Sequence, residues 1–301
     1  MPIAVRVAAY AGALALLFGL AWIAGGLAGA AAPVPAPVGT AESGTHGHDG
    51  GPTPGGGGAV GGLAVTDAGY TLAVAQRSFR AGVPGELALR ITGPDGAPVT
   101  AFDVEHEKRM HLVLVRRDAT GFQHLHPELD PDGTWRTPLT LPVAGVYRVF
   151  ADFLPTGGPA LTLGTDLFVP GEFEPAPSPE PSRTATVDGY EVTLQGDLTG
   201  GEATQLVATI SRDGDPVTDL EPYLGAFGHL VVLRADDLAY LHVHPDTATA
   251  PRPEDRAGPL IAFTAETPSS GTYRLFLDFR HGDTVRTAEF TLVTVTPPTA
   301  G

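Results

Sequence analysis

The sequence predicts an all-β protein of two tandem β-sandwich domains, immunoglobulin-like or cupredoxin-like, placed after an N-terminal apolar helix. Three observations predict it. A set of motifs recurs at a constant offset, the body is rich in Thr, Val, Leu, Gly and Pro with no sustained helical apolar period, and each copy contains a Gly-x-Tyr step after an apolar strand and a Pro-containing turn. The last feature is that of the tyrosine corner of Greek-key sandwiches.

The duplication rests on arithmetic. Asp95-Gly96-Ala97-Pro98-Val99-Thr100 matches Asp213-Gly214-Asp215-Pro216-Val217-Thr218 at an offset of 118, which also carries His111 to His229, His124 to His242 and His126 to His244. Further on, Gly145-Val146-Tyr147-Arg148-Val149-Phe150-Ala151-Asp152-Phe153 matches Gly271-Thr272-Tyr273-Arg274-Leu275-Phe276-Leu277-Asp278-Phe279 at an offset of 126, so one insertion of 8 residues falls around Thr247 to Gly258.

The elements follow in order. Residues 1–32 hold an uncharged run, Val7 to Ala32, preceded by Arg6. The run exceeds the roughly 20 residues that span a bilayer, which favours an uncleaved anchor with its N-terminus inside. The small-residue exit Ala28 to Ala32 fits a cleaved secretory peptide instead. Both readings place the body outside the cytoplasm, at the cell membrane or secreted. Residues 33–62, rich in Pro, Gly and Ala and carrying His46 and His48, read as a disordered spacer. Residues 63–170 are the first sandwich, 171–183 a Pro-rich extended linker, 184–296 the second sandwich and 297–301 a tail.

Within each copy two strands flank a turn. His111 to Arg116 and Phe122 to Pro127 enclose Asp118-Ala119-Thr120-Gly121, and a two-residue tip there places His126 opposite Val113 and His124 opposite Val115. The equivalent hairpin around Asp236 to Ala239 places His244 opposite Val231. His111, His124 and His126 then share one face, with the two i, i+2 histidines about 6.5–7 Å apart along the strand.

Charge and composition exclude several functions. The net charge is −16, and no Lys/Arg cluster is present, which argues against nucleic acid as a partner. With no cysteine, disulfides, thiolate zinc sites and iron–sulfur clusters are excluded, leaving His, Met and carboxylates as metal donors. There is no G-x-S-x-G elbow or phosphate loop, so the chain is not read as an enzyme.

The candidate site is therefore imidazole. His111, His124 and His126 in the first copy and His229, His242 and His244 in the second form equivalent triplets, each a donor set for Cu(II) or Zn(II). His106 is a further candidate of the first copy alone, since its position maps to Leu224, as Met110 maps to Gly228. Asp152 and Asp278 are placed to accept a hydrogen bond from a ligand histidine. The competing reading makes the histidines structural, bonded to backbone or to these carboxylates, with Pro127 and Pro245 marking strand ends.

Residues 103–127, 132–153 and 223–245 carry a resemblance to a family of membrane-anchored or secreted actinobacterial proteins, some labelled heavy-metal-associated. It covers nearly all of residues 63–295. What it implies is metal handling, and it adds nothing in favour of catalysis. The strand Tyr240 to His244 is also similar to the His-x-His strand of copper–zinc superoxide dismutases, whose other ligands are missing here. The copper-resistance protein C family shares a small His-bearing β-sandwich, without an alignable N-terminal histidine. The leading expectation is a membrane-tethered metal-binding protein of the envelope, with copper as the first candidate ion, acting as a metal buffer or delivery partner alongside a metal-transport or envelope protein. The rival is an envelope interaction module with structural histidines.

Overall fold

Apolar/polar alternation sets several of the strands. In Gly85–Thr92 the side chains of Leu87, Leu89 and Ile91 turn inward while Arg90 faces out, and Ala203–Arg212 repeats the pattern with Leu206, Ala208 and Ile210. The computed structural model describes residues 60–241, 243–246 and 249–295, with the side chain of His244 left out. The expected N-terminal segment 1–32, His46, His48, His242 and the tail 297–301 lie outside the described residues. Among the described residues no helix is long and apolar enough to cross a membrane.

The first repeat contains β1 (Thr66–Asp67), β2 (Tyr70–Val74), β3 (Gly85–Thr92), β4 (Phe102–Asp103), β5 (Met110–Arg116), β6 (Gln123–Leu125), β7 (Glu128–Leu129), β8 (Thr134–Leu139), β9 (Gly145–Pro155) and β10 (Leu161–Val169). One sheet runs β1-β2-β3-β8-β7, the other β10-β9-β5-β6 with β4 on β9. The second repeat contains β11 (Thr184–Val187), β12 (Tyr190–Gln195), β13 (Ala203–Arg212), β14 (Asp215–Pro216), β15 (His229–Arg234), β16 (Tyr240–Leu241), β17 (Val243–Pro245), β18 (Leu260–Glu266), β19 (Thr272–His281) and β20 (Thr284–Val293). Its sheets run β11-β12-β13-β18-β17 and β16-β15-β19-β20. Reading β2, β3, β5, β6, β7, β8, β9 and β10 as A, B, C, C′, D, E, F and G gives A-B-E-D against G-F-C-C′, the immunoglobulin order. The architecture is thus two tandem immunoglobulin-like sandwiches. Both tyrosine corners are present: Tyr147 donates to the Val143 carbonyl at 3.0 Å and Tyr273 to that of Ser269 at 2.7 Å.

The hairpin register differs from the two-residue tip. Val113 pairs with His124 and Leu112 with Leu125, a shift of two positions. The cause is Asp118, whose carboxylate is occupied by Arg116 at 2.9 and 2.6 Å, by the Thr120 hydroxyl at 2.8 Å and by the Ala176 amide at 2.9 Å. With Ala119 and Gly121 both at positive φ, the turn consumes more chain. Because the shift is even, His111 and His124 stay on one face. In the second repeat Val232 pairs with Leu241, and the chain then changes sheet: His244 lies opposite Thr264 on β18, not opposite Val231.

The described residues from Val60 onward form one compact unit. Each sandwich has its own core, with Trp135, Tyr147 and Leu112 in the first and Phe263, Tyr273 and Phe290 in the second. A third cluster lies between them: Val113, Val115, Phe150, Val231, Leu233, Tyr240 and Phe276, flanked by Phe122. The strand β5 is buried on both faces, Leu112 and Leu114 toward its own core and Val113 and Val115 toward the other repeat. The contact is nearly two-fold. Phe122 stacks on Phe276 with centroids 4.2 Å apart, and the equivalent pair, Tyr240 and Phe150, meets at 5.5 Å.

The chain before the first strand takes part, contrary to the expectation of a free spacer to residue 62. The Gly61 carbonyl accepts from the Tyr240 amide at 2.9 Å, and the Gly62 amide donates to Thr162 at 2.8 Å. Buried Arg148 donates to the carbonyls of Gly62 and Leu63. A Cβ on Gly62, at φ +73°, would stand 2.4 Å from the Phe150 ring.

Candidate metal centre

At one end of the junction the apolar contacts give way to imidazole. β5 supplies His111, β6 supplies His124, the start of β15 supplies His229, and His126 follows β6. Two cross-strand pairs fix carboxylates beside them, with His111 opposite Asp152 and His229 opposite Asp278. One nitrogen each from His111, His124 and His229 lies within 4.8 Å of the others. The ring of His229 stacks on those of His111 and His124 at 5.2 and 5.1 Å, and His126 lies 5.1 and 4.8 Å from His111 and His124. The sequence suggests one set per repeat; the described side chains instead join His229 of the second repeat to His111 and His124 of the first.

The hydrogen bonds assign the free lone pairs. His124 Nδ1 is 2.9 Å from Asp278 Oδ2, and the carboxylate can only accept, so Nδ1 carries a proton and, in the neutral ring, Nε2 carries the lone pair. His111 Nε2 is 3.1 Å from the Glu105 carbonyl, which likewise only accepts, so the lone pair of His111 is on Nδ1. These two lone pairs face each other at 3.1 Å. A shared proton would turn the contact into a hydrogen bond, but burial, then the nearby His124, pulls His111 down to about 4. With both rings neutral in these tautomers the two lone pairs repel, and either a proton or a metal ion between them relieves the contact. With metal–nitrogen bonds of about 2.0–2.1 Å, nitrogens 3.1 Å apart subtend roughly 95–102° at the ion, which suits adjacent ligands. His229 Nδ1 and His126 Nε2 are buried with no hydrogen-bond partner, a costly condition that an ion relieves.

Burial dominates the electrostatics. It lowers His126 to about 3 and holds His229 well below the usual histidine value, with neighbouring imidazoles adding to both. Asp152, bonded by Thr162 at 2.8 Å, is pushed up to about 6 by desolvation. Thr287 donates to Asp278 in the matching way at 2.6 Å.

His106 enters from a tight turn. Glu105 and Lys108 exchange backbone hydrogen bonds of 2.8 and 3.0 Å, and His106 and Glu107 between them have φ of 46° and 65°. Positive φ at both centres is a Gly/Asn conformation, and the equivalent turn in the second repeat uses Leu224 and Gly225. The turn sets the His106 ring 5.1 Å from that of His229. Leu224 in the same role is buried. Of the other expected groups, Met110 points away into the first core and His242 is outside the described residues. His281 lies elsewhere, bonded to Tyr190 at 2.7 Å and Asp219 at 3.0 Å.

Sequence reasoning missed the aromatic joint of Phe122, Phe150 and Phe276 and the exchange of Asp278 across repeats. A signal was present: His111-Leu112-Val113-Leu114-Val115 is apolar without alternation, the mark of a strand covered on both faces.

Residues 64–166 and 185–296 each match the family described as a domain of unknown function, DUF8832. The chain belongs to the DUF8832 family. The junction centre is therefore built by two DUF8832 repeats facing each other, and the family description assigns it no activity. No curated protein matches the sequence. Among solved structures the chain is similar to the Escherichia coli adhesin FdeC (14% identity over 75% of this chain and 64% of that one, TM-score 0.24). It is also similar to invasin, a bacterial integrin-binding protein (12%, 76% and 40%, TM-score 0.22), and to the D0-D1 domain of intimin (11%, 74% and 97%, TM-score 0.20). The chain spans less than two thirds of FdeC and of invasin.

Proposed function

We propose that this DUF8832 protein is a non-catalytic metal-binding protein of the cell envelope that holds a transition-metal ion, copper or zinc, at the junction of its two repeats. The ligands are His111, His124 and His229, with His126 and His106 alongside. The observation that carries this reading is the pair of facing lone pairs on His111 and His124, each ring fixed from behind by an acceptor. That is the arrangement by which proteins orient ligand imidazoles toward a metal. The envelope location rests on the uncharged run Val7 to Ala32. Because the ligand rings are largely enclosed between the repeats, release of the ion requires the junction to loosen, which fits regulated delivery to an envelope partner better than rapid buffering.

A second reading is an envelope interaction module whose histidines are purely structural. It is favoured by the His124–Asp278 bond, which joins the repeats whether or not an ion is bound. Isothermal titration of the full chain with Cu(II) and Zn(II) separates the two. Binding tighter than about 10 μM, roughly −7 kcal/mol, that is lost in His111→Ala/His124→Ala supports the metal reading. No binding in the parent chain, or unchanged binding in the double variant, sinks it and leaves the structural reading.

A further inference from the structure

We propose that the junction centre selects a divalent ion over monovalent copper or silver, a refinement that rests on the metal-binding reading above. Three independent features of the site point to it.

The first is angular. The lone pairs of His111 Nδ1 and His124 Nε2 are 3.1 Å apart. An ion bound by two imidazoles in the linear geometry favoured by monovalent copper and silver needs its nitrogens about 4 Å apart, twice the metal–nitrogen distance. The observed spacing fits the near-right-angle or tetrahedral angles of Cu(II) and Zn(II), and it is held from outside by the Glu105 carbonyl and Asp278.

The second is donor softness. Monovalent d10 ions prefer thiolate and thioether sulfur. The chain has no cysteine, and Met110, beside His111 on β5, projects to the opposite face and is buried in the core of the first repeat. The alternation of the strand that brings His111 to the junction takes the sulfur away from it.

The third is charge. The cross-strand partners of His111 and His229 are Asp152 and Asp278. Neutral imidazoles contribute no charge, so two carboxylates beside the ligands balance a dication and leave an excess negative charge around a monocation. In an enclosed site that excess is unfavourable.

The experiment titrates the full chain with Cu(II), Zn(II) and, as a redox-stable monovalent probe, Ag(I) in chloride-free buffer. The expected result is that both dications bind on the order of 100-fold more tightly than Ag(I). In Asp278→Asn, dication affinity falls about 10–100-fold, as is typical when a carboxylate behind a ligand histidine is lost, while Ag(I) affinity changes far less. Ag(I) binding equal to or tighter than that of the dications overturns the proposal while leaving the metal-binding reading intact. An unchanged dication affinity in a folded Asp278→Asn chain overturns the charge argument. Failure of all three ions to bind the parent chain removes both readings, and the parent comparison decides even if the variant does not fold.

Discussion

His124 of the first repeat donates from Nδ1 to the carboxylate of Asp278 in the second at 2.9 Å, with the two side chains only 2% and 3% exposed. The same carboxylate accepts from Thr287, so one side chain satisfies donors from both repeats. Asp278→Ala leaves both donors buried and unpaired, and the expected cost is about 2–4 kcal/mol in urea unfolding. A change below about 0.5 kcal/mol would show that water replaces the carboxylate and that the joint does not depend on it.

The aromatic half of the junction should matter as much. Phe276 is fully buried and stacked on Phe122, so Phe276→Ala is expected to destabilise the chain by about 3–5 kcal/mol. It should weaken metal binding as well, because the same contact holds β19, which carries Asp278, against the start of β6, which carries His124. Loss of stability with unchanged metal affinity would mean the two halves of the junction are independent.

Acid should destabilise the metal-free chain. His111 and His126 titrate near 4 and 3 in the fold, and His229 is also lowered, against an ordinary value of 6.5. Between pH 6.5 and about 4 the unfolded chain therefore binds more protons, and stability falls as pH drops, by up to about 1.4 kcal/mol per pH unit for each histidine. Asp152 opposes this. Raised to about 6 from 3.8, it takes up its proton in the folded state first, and acidification relieves the cost of its burial. Three depressed histidines outweigh one raised carboxyl. The urea midpoint measured with chelator present should fall from pH 7 to pH 4.5, and a flat or rising profile would contradict the lowering of the three histidines by burial.

Separating the repeats tests whether the centre is shared. The ligands His111 and His124 precede the linker and His229 follows it, so residues 63–170 and 184–296 expressed apart should each bind Cu(II) at least about 10-fold more weakly than the whole chain. Full affinity in the first fragment alone would remove His229 from the ligand set.

Gly62 offers a local test of the segment before β1. Its positive φ and the 2.4 Å approach of an added Cβ to Phe150 leave no room for a side chain. Gly62→Ala should cost about 1–3 kcal/mol, seen as a lower thermal midpoint, whereas Gly214→Ala, at a turn with open space around it, should cost less.

Local pattern was enough to specify much of this protein. The offset of 118 identified the repeats, apolar runs identified strands such as β5, and Gly145-x-Tyr147 and Gly271-x-Tyr273 identified the tyrosine corners, because each depends on residues close in the chain. The shared face of His111 and His124 was also legible, since a side-chain period of two survives an even register shift. Tertiary structure decided the rest. The register followed from Asp118 being held by Ala176, 58 residues away, and the crossing of Val243–Pro245 to β18 followed from pairing with the other sheet. Above all, the grouping of His229 with His111 and His124, and of His124 with Asp278 across 154 residues, depends on two sandwiches docking through Val113, Phe150, Val231 and Phe276. Sequence periodicity reports which face of a strand is apolar; what covers that face is set by the packing of surfaces far apart in the chain.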